Sequence, residues 1–172
     1  MKNLYLILIL LPLVLVNPAE AQKVSKEERA AQEAEAFRKI QELIAGKQFQ
    51  VEINRVYPQS GFDVSRFNPT GKITVNDTTA QGHLPFFGRA YSLPYHEGGG
   101  IEFNDIMKEV TIKTIEKRKK KAVIFSFSVR GNNDTYQFVI EVTPNGGCAV
   151  NLNSNNRTQI SYGGNISPYE EK

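Results

Sequence analysis

The residues of this chain that could do acid–base, nucleophilic or metal chemistry are few and scattered. The two histidines, His83 and His96, are separated by Pro85, Gly88 and Pro94, so they do not share a helix face at metal-ligand spacing. A metal site normally shows converging His or Cys pairs, and the serine nearest to His96 lacks the Gly-x-Ser-x-Gly elbow of a hydrolase. We therefore predict no catalytic residues, no metal site and no cofactor.

Two chemical alternatives stay open at this point. His96 and Glu97 would form a metal site if Glu102 or Asp105 converged on them, although a solvated loop explains the same residues more simply. A pair of carboxylates of the kind that hydrolyses sugars is defined by its separation in space, so the sequence does not select one.

The densest group of unusual residues lies between Gly82 and Phe103, where phenylalanine, tyrosine, proline and glycine follow no strand or helix period. Such a segment is either ordinary core or the crossover that closes an apolar pocket in a small curved sheet. An arginine within it would fork onto a carboxylate or onto backbone carbonyls and hold the crossover in place. The candidate ligand pocket or crossover consists of Phe86, Phe87, Arg89, Tyr91, Tyr95 and Phe103.

The elements that must position these residues follow from hydrophobic periodicity. Ser25–Ala45 has the helical spacing, with a capping box at Ser25 and Gly46 placed to end the helix. Its first turns carry little apolar bulk, so we expect them to project from the body. From Phe49 the period changes to two, as in Val123–Arg130, and turns rich in Gly and Asn separate the later runs.

This pattern predicts a mostly β (α+β) fold: an antiparallel, curved sheet or flattened β-barrel or sandwich of eight to ten strands with one N-terminal α-helix. The predicted divisions are a signal peptide at 1–21, the helix and linker at 22–48, the β domain at 49–168, and a charged tail at 169–172. Gly98–Gly100 is predicted to be a flexible connection. The basic run Lys117–Lys121 is predicted to be a solvated hairpin tip that discourages edge pairing, with a contact to anionic lipid or polysaccharide as the alternative.

The first 21 residues have the pattern of an export signal. Lys2 precedes an apolar run from Leu4 to Val16, and Ala19 and Ala21 provide the small residues of a cleavage site. The run is too short to span a bilayer, and no cysteine follows it to carry a lipid. We therefore expect an exported, soluble periplasmic or secreted protein that is not a lipoprotein and has no transmembrane segment after cleavage.

The remaining composition bounds the fold and its partners. The single cysteine, Cys148, cannot form an internal disulfide, and its strand parity with Val150 and Leu152 predicts a small buried hydrophobe. The formal net charge is +3, and no basic stripe with interleaved aromatic residues is present. We therefore expect no nucleic-acid partner.

Three segments together resemble a known family: Leu84–Tyr91 (LPFFGRAY), Gly99–Phe103 (GGIEF) and Arg157–Ile166 (RTQISYGGNI). In this order, after a signal and a short helix, they are similar to domain of unknown function family 4251, along about Gln41 to Ile166. The resemblance implies a small exported protein of Bacteroidota in the periplasm or at the cell surface. It implies no activity, cofactor or catalytic residue.

The function that the sequence favours is non-enzymatic binding in the envelope, of a protein partner or of a small apolar or glycan ligand. A one-sided β scaffold, an aromatic crossover and the lack of a catalytic motif indicate this class. The alternatives are a hydrolase whose site forms only in three dimensions, and an envelope assembly or inhibitor protein that acts through an exposed edge strand.

Overall fold

A single helix precedes the sheet in the computed structural model of the protein, which describes residues 26–91, 99–117, 120–131 and 134–170. Helix α1 spans Lys26–Ala45 and ends where the N–H of Gly46 donates to the carbonyl of Glu42 at 2.9 Å. Phe37 and Ile44 are its buried residues, whereas the turns before them are exposed. The predicted helix and its projecting first turns are thereby confirmed, and the predicted cap at Ser25 lies outside the described residues.

Nine strands follow the helix, within the predicted eight to ten. They are β1 (Gln48–Pro58), β2 (Gly71–Asn76), β3 (Thr79–Leu84), β4 (Ile101–Ile106), β5 (Lys108–Lys117), β6 (Lys120–Arg130), β7 (Thr135–Val142), β8 (Gly147–Ser154) and β9 (Ile160–Pro168). A single 3₁₀ turn, Ser65–Phe67, lies between β1 and β2. The region from Gly82 to Phe103 has no clear strand period in the sequence, yet it contains the end of β3 and the start of β4. These strands form because β3 pairs with β2 and β4 pairs with β3.

All nine strands form one antiparallel sheet in the order β4-β3-β2-β1-β9-β8-β7-β6-β5. The two strands at its ends, β4 and β5, are consecutive in the chain and are separated only by Met107. Phe103 of β4 also forms an isolated bridge with Gly131, just beyond β6. The sheet therefore curls into a half-barrel, which confirms the predicted mostly β, antiparallel and curved architecture.

The inner face of the sheet carries the core. Aromatic rings meet there across several strands: Phe49 and Phe125 pack edge to face at 5.3 Å, and Phe127 stacks on Phe138 at 5.0 Å. Phe103 joins this group with its ring 5.0 Å from that of Phe138, and it is buried. Phe103, a candidate pocket residue by sequence, is thus part of the core.

A bulge in β1 shapes the end of the sheet that matters for the site. The register between β1 and β9 shifts between Ile53 and Arg55, opposite Gly164 and Gly163. Such a bulge bends its strand and increases the local twist. Beyond it, β1 continues to Pro58 and leads into the loop that carries Phe62.

Some predicted features fall outside the described residues. These are the export signal at 1–21, Tyr95 and His96 of the middle region, and part of the basic run, residues 118–119. Among the residues that the structure does describe, no helix is long and apolar enough to cross a membrane.

Candidate functional site

Backbone hydrogen bonds hold the crossover after β3 against the connection between β8 and β9. The N–H of Arg89 donates to Oγ1 of Thr158 at 3.1 Å, and the N–H of Thr158 donates to the carbonyl of Arg89 at 2.9 Å. The N–H of Tyr91 donates to the carbonyl of Asn156 at 2.8 Å. Residues 89–91 are therefore held through their own main-chain atoms, and one of the three bonds also needs the side-chain hydroxyl of Thr158.

A buried tyrosine makes the second attachment. The hydroxyl of Tyr162, which is fully buried on β9, donates to the carbonyl of Pro85 at 3.0 Å. Burial raises the pKa of the Tyr162 phenol, and the nearby Arg157 charge opposes this only in part. The hydroxyl therefore remains protonated, as its role of donor requires.

A buried arginine lies beside this tyrosine. Arg157 is 5% exposed, and its Cζ lies 5.0 Å from the centre of the Phe86 ring. Its Nη1 donates to the carbonyl of Gly99 at 3.4 Å, whereas its Nε has no hydrogen-bond partner among the described residues. The cation–π contact with a half-buried Phe86 partly replaces the water that the guanidinium has lost.

The sequence had pointed to Arg89, and not Arg157, as the arginine that holds the crossover. The Arg89 side chain is exposed and makes no hydrogen bond or ion pair within the described part of the chain. Only its backbone contributes to the attachment. Arg157 follows a turn rich in Asn and begins one of the segments that carry the family resemblance, but neither feature indicates a buried guanidinium.

The crossover and the loop after β1 together enclose a surface groove of about 570 Å³, which we call the aromatic groove. Its lining consists of Gln59, Ser60, Phe62, Phe87, Gly88, Arg89, Tyr91 and Thr158. Two chain segments that are far apart in sequence thus form opposite walls, and β1 and β9 position them.

Large aromatic side chains are unusually exposed around the aromatic groove. Phe62 is 53% exposed, Phe67 53% and Tyr91 70%. Phe67 stacks on Phe87 at 5.8 Å with the ring planes 22° apart. The guanidinium of Arg66 lies over the rings of both Phe62 and Phe67, at 5.3 and 4.9 Å. Phe62, Phe67 and Phe87 are therefore linked through Arg66 and ring stacking, and Tyr91 lines the same groove as Phe62 and Phe87.

The structure brings together only some of the predicted residues. Phe87, Arg89 and Tyr91 line the aromatic groove. Phe86 packs against the core and Arg157, Phe103 lies in the core, and Tyr95 is outside the described residues.

Sequence reasoning missed three residues of the groove region, Phe62, Arg66 and Phe67. They lie in a loop without periodicity, and only the folded chain places this loop beside the crossover. The presence of two phenylalanines and one arginine in so short a loop was the one available signal.

The structure also locates the metal-ligating and thiol groups of the described residues. No group of three or more His, Cys, Asp or Glu side chains able to hold a metal ion is found among them. Cys148 is buried on β8, which confirms the prediction of a small buried hydrophobe, and burial raises the pKa of its thiol to about 11. The thiol is therefore a poor nucleophile at neutral pH.

The comparison with protein families decides the relationship that the sequence suggested. The model described as domain of unknown function (DUF4251) matches residues 31–166, which include most of α1 and all of β1 to β8. The chain belongs to the DUF4251 family. A search of the curated proteins gave no match to this DUF4251 protein.

A solved structure agrees with this assignment. This DUF4251 protein is similar to the crystal structure of a DUF4251 family protein from Bacteroides eggerthii DSM 20697. The TM-score is 0.54 at 22% sequence identity, over 80% of this chain and 91% of the other. At that identity the similarity shows a shared fold.

Proposed function

We propose that this DUF4251 protein is an exported, non-enzymatic binding module whose aromatic groove holds a protein partner. The observation that carries the proposal is that three aromatic side chains at one groove, Phe62, Phe67 and Tyr91, are each more than half exposed. Exposing such rings to water costs free energy that a partner would recover by covering them. Aromatic residues and arginine are the types enriched in the energetic centres of protein interfaces.

The support of the groove favours binding without rearrangement. One wall, the crossover, is fixed by main-chain bonds at Arg89 and Tyr91 and by the hydroxyl of Tyr162. In the other wall, Phe67 stacks on Phe87 across the junction of the two segments. A preorganised surface loses little conformational entropy when a partner binds.

The charges at the groove indicate the chemistry of the partner. Arg66 and Arg89 lie at its edge, and the one carboxylate in the same loop, Asp63, already has an interaction of its own. Guanidinium groups bind carboxylates through paired hydrogen bonds. The partner surface should therefore present apolar side chains flanked by Asp or Glu.

The location of the protein is part of the proposal. Lys2, the apolar run and the small residues before position 22 support export to the envelope. Fractionation of cells with a C-terminally tagged chain, together with N-terminal sequencing of the mature protein, tests this. A chain retained in the cytoplasm with an intact N-terminus would contradict it.

Site-specific photo-crosslinking in the native host tests the groove. The photoreactive residue replaces Tyr91 in one variant and Tyr57 in a matched control, because Tyr57 is also a tyrosine, is 54% exposed, and does not line the aromatic groove. We expect one dominant protein crosslink from position 91 that position 57 does not give.

The captured protein is then purified and titrated against variants. Tyr91→Ala and Phe62→Ala should each weaken binding by about 30-fold, the effect of losing a typical hot-spot residue, whereas Tyr57→Ala should not. Equal crosslinking from both positions, or unchanged affinity in the groove variants, would refute the proposal. Turnover of an esterase or glycosidase substrate that a groove substitution abolishes would establish the hydrolase alternative instead.

A further inference from the structure

A second groove, separate from the aromatic groove, lies along β2, β3 and β4 and reaches the end of β6, and the core residue Phe103 is among its lining residues. It has a volume of about 780 Å³, and we call it the polar groove. That volume is within the range of roughly 300–1,000 Å³ typical of small-molecule sites. Its lining includes the polar side chains of Lys72, Gln81, His83, Glu102, Asn104 and Arg130.

Strand register places these side chains in two rows. Lys72 is opposite His83, which is opposite Glu102, and Gln81 is opposite Asn104 in the neighbouring row. Because successive residues of a strand point to opposite faces, all five share the face that is turned away from the core. The Nδ1 of His83 and Oε1 of Glu102 are 3.0 Å apart, so the first row already has internal order.

The seam between the two ends of the curled sheet makes this surface concave. β4 approaches the end of β6 so closely that a Cβ on Gly131 would lie 2.9 Å from the carbonyl oxygen of Glu102. Arg130, next to this glycine, lines the groove beside the two rows. A second cross-strand pair of Gln and Asn lies elsewhere on the sheet. Gln137 of β7 is opposite Asn153 of β8, and neither residue lines the polar groove.

The charge of the lining selects among ligands. The lining contains two cationic residues, Lys72 and Arg130, two carboxylate residues, Glu102 and Asp105, and the amide residues Gln81 and Asn104. A polyanion or a polycation would meet as much repulsion as attraction here, and an apolar ligand would leave these groups without hydrogen bonds. A neutral polyhydroxyl compound both donates and accepts, and so matches such a mixed lining.

We propose that the polar groove is a binding site for a neutral saccharide. The amides of Gln81 and Asn104 bind its hydroxyl groups from the floor of the groove, and the flanking charged side chains add stronger, charge-assisted hydrogen bonds. This site is independent of the partner-binding aromatic groove.

Calorimetric titration of the purified chain with four neutral oligosaccharides tests the proposal: maltotetraose, cellotetraose, chitotetraose and mannotetraose. At least one should bind with a Kd of about 1 mM or tighter, and tetragalacturonate, an anionic probe, should bind more weakly. The double variant Gln81→Ala/Asn104→Ala should lower the affinity by about tenfold or more. The matched double variant Gln137→Ala/Asn153→Ala removes the same two amides elsewhere on the sheet and should leave the affinity unchanged.

Several results would overturn the saccharide site. They are no binding of any neutral probe at about 10 mM, preferred binding of tetragalacturonate, or equal losses in both double variants. Urea unfolding midpoints of the two double variants show that each is folded before it is titrated. Tyr91→Ala should leave saccharide binding intact, so that failure of this proposal and failure of the aromatic groove are distinguishable.

Discussion

Replacing Gly164 by alanine should destabilise the protein strongly, whereas the same change at its neighbour Gly163 should not. A Cβ on Gly164 would overlap the carbonyl oxygen of Glu52 on β1 and lie 2.9 Å from its carbonyl carbon. A Cβ on Gly163 would lie 3.4 Å from Cε2 of Tyr57, which is an ordinary van der Waals contact. The two glycines are adjacent in one strand, so each is the natural control for the other.

The magnitude depends on which atoms must move. Relief of the overlap at Gly164 requires displacement of the β1 main chain at its bulge, and overpacking of this kind costs about 1–3 kcal/mol. Loss of one β1–β9 hydrogen bond lowers the stability by about a further 1 kcal/mol. Alanine also lowers the entropy of the unfolded chain, which raises the stability of the folded protein by about 0.5–1 kcal/mol. The net loss of unfolding free energy is about 1–3.5 kcal/mol for Gly164→Ala. Gly163→Ala should leave the stability unchanged or raise it by up to about 1 kcal/mol.

Urea unfolding followed by far-ultraviolet circular dichroism measures the difference, which suits a chain without tryptophan. With a urea slope of about 2 kcal/mol/M, a loss of about 1–3.5 kcal/mol lowers the midpoint by about 0.5–2 M. Equal midpoints for the two variants would refute the close approach of β1 to β9 and the bulge geometry built on it. The bulged strand leads into the loop with Phe62, so Gly164→Ala should also weaken partner binding.

Three further substitutions and one chemical treatment test how the crossover is attached and whether the Cys148 thiol is buried. Tyr162→Phe leaves the Pro85 carbonyl without its donor and should cost about 1–3 kcal/mol in urea unfolding; a midpoint equal to that of the wild type would mean that water satisfies this carbonyl. Arg157→Ala should lower the free energy of unfolding by about 2–4 kcal/mol, because it empties a buried volume and removes a cation–π contact. Arg89→Ala should leave that free energy within about 0.5 kcal/mol of the wild-type value, as measured by thermal melting. A larger loss for Arg89→Ala than for Arg157→Ala would mean that Arg89 is the arginine that holds the crossover. Burial raises the pKa of the Cys148 thiol to about 11, so the thiol stays protonated at pH 8. In the folded protein it should therefore react with iodoacetamide at that pH at least about tenfold more slowly than in the urea-unfolded protein. Equal rates in the two states would contradict its burial.

Local patterns predicted the parts of the fold that depend on neighbours in sequence. The alternation from Val123 to Arg130 gave β6, and the helical spacing ending at Gly46 gave α1. The runs on either side of the predicted Gly and Asn turn pair as β6 and β7, and the N–H of Gly131 donates to the carbonyl of Asp134 at 2.9 Å. Each of these signals arises from backbone preferences or from the burial of one face, both of which act over a few residues.

The candidate site was predicted less completely, for a physical reason that its residues illustrate. Aromatic side chains serve equally well in a core and on a binding surface. By composition alone, Phe103 in the core and Tyr91 on the surface were therefore equivalent. Their difference depends on which strands lie beside them, and in this sheet those neighbours come from distant parts of the chain.

By itself, the sequence determined the fold class, the helix, most of the strands and the family, because these follow from local periodicity and from contiguous motifs. The tertiary structure alone decided that β4 and β5, one nearly continuous stretch, form opposite ends of the sheet. It also decided that Arg157 is the buried arginine and that Phe62 meets Tyr91 across a groove. These relations depend on long-range pairing, whose geometry is set by the packing of the whole sheet and is not encoded in any single segment.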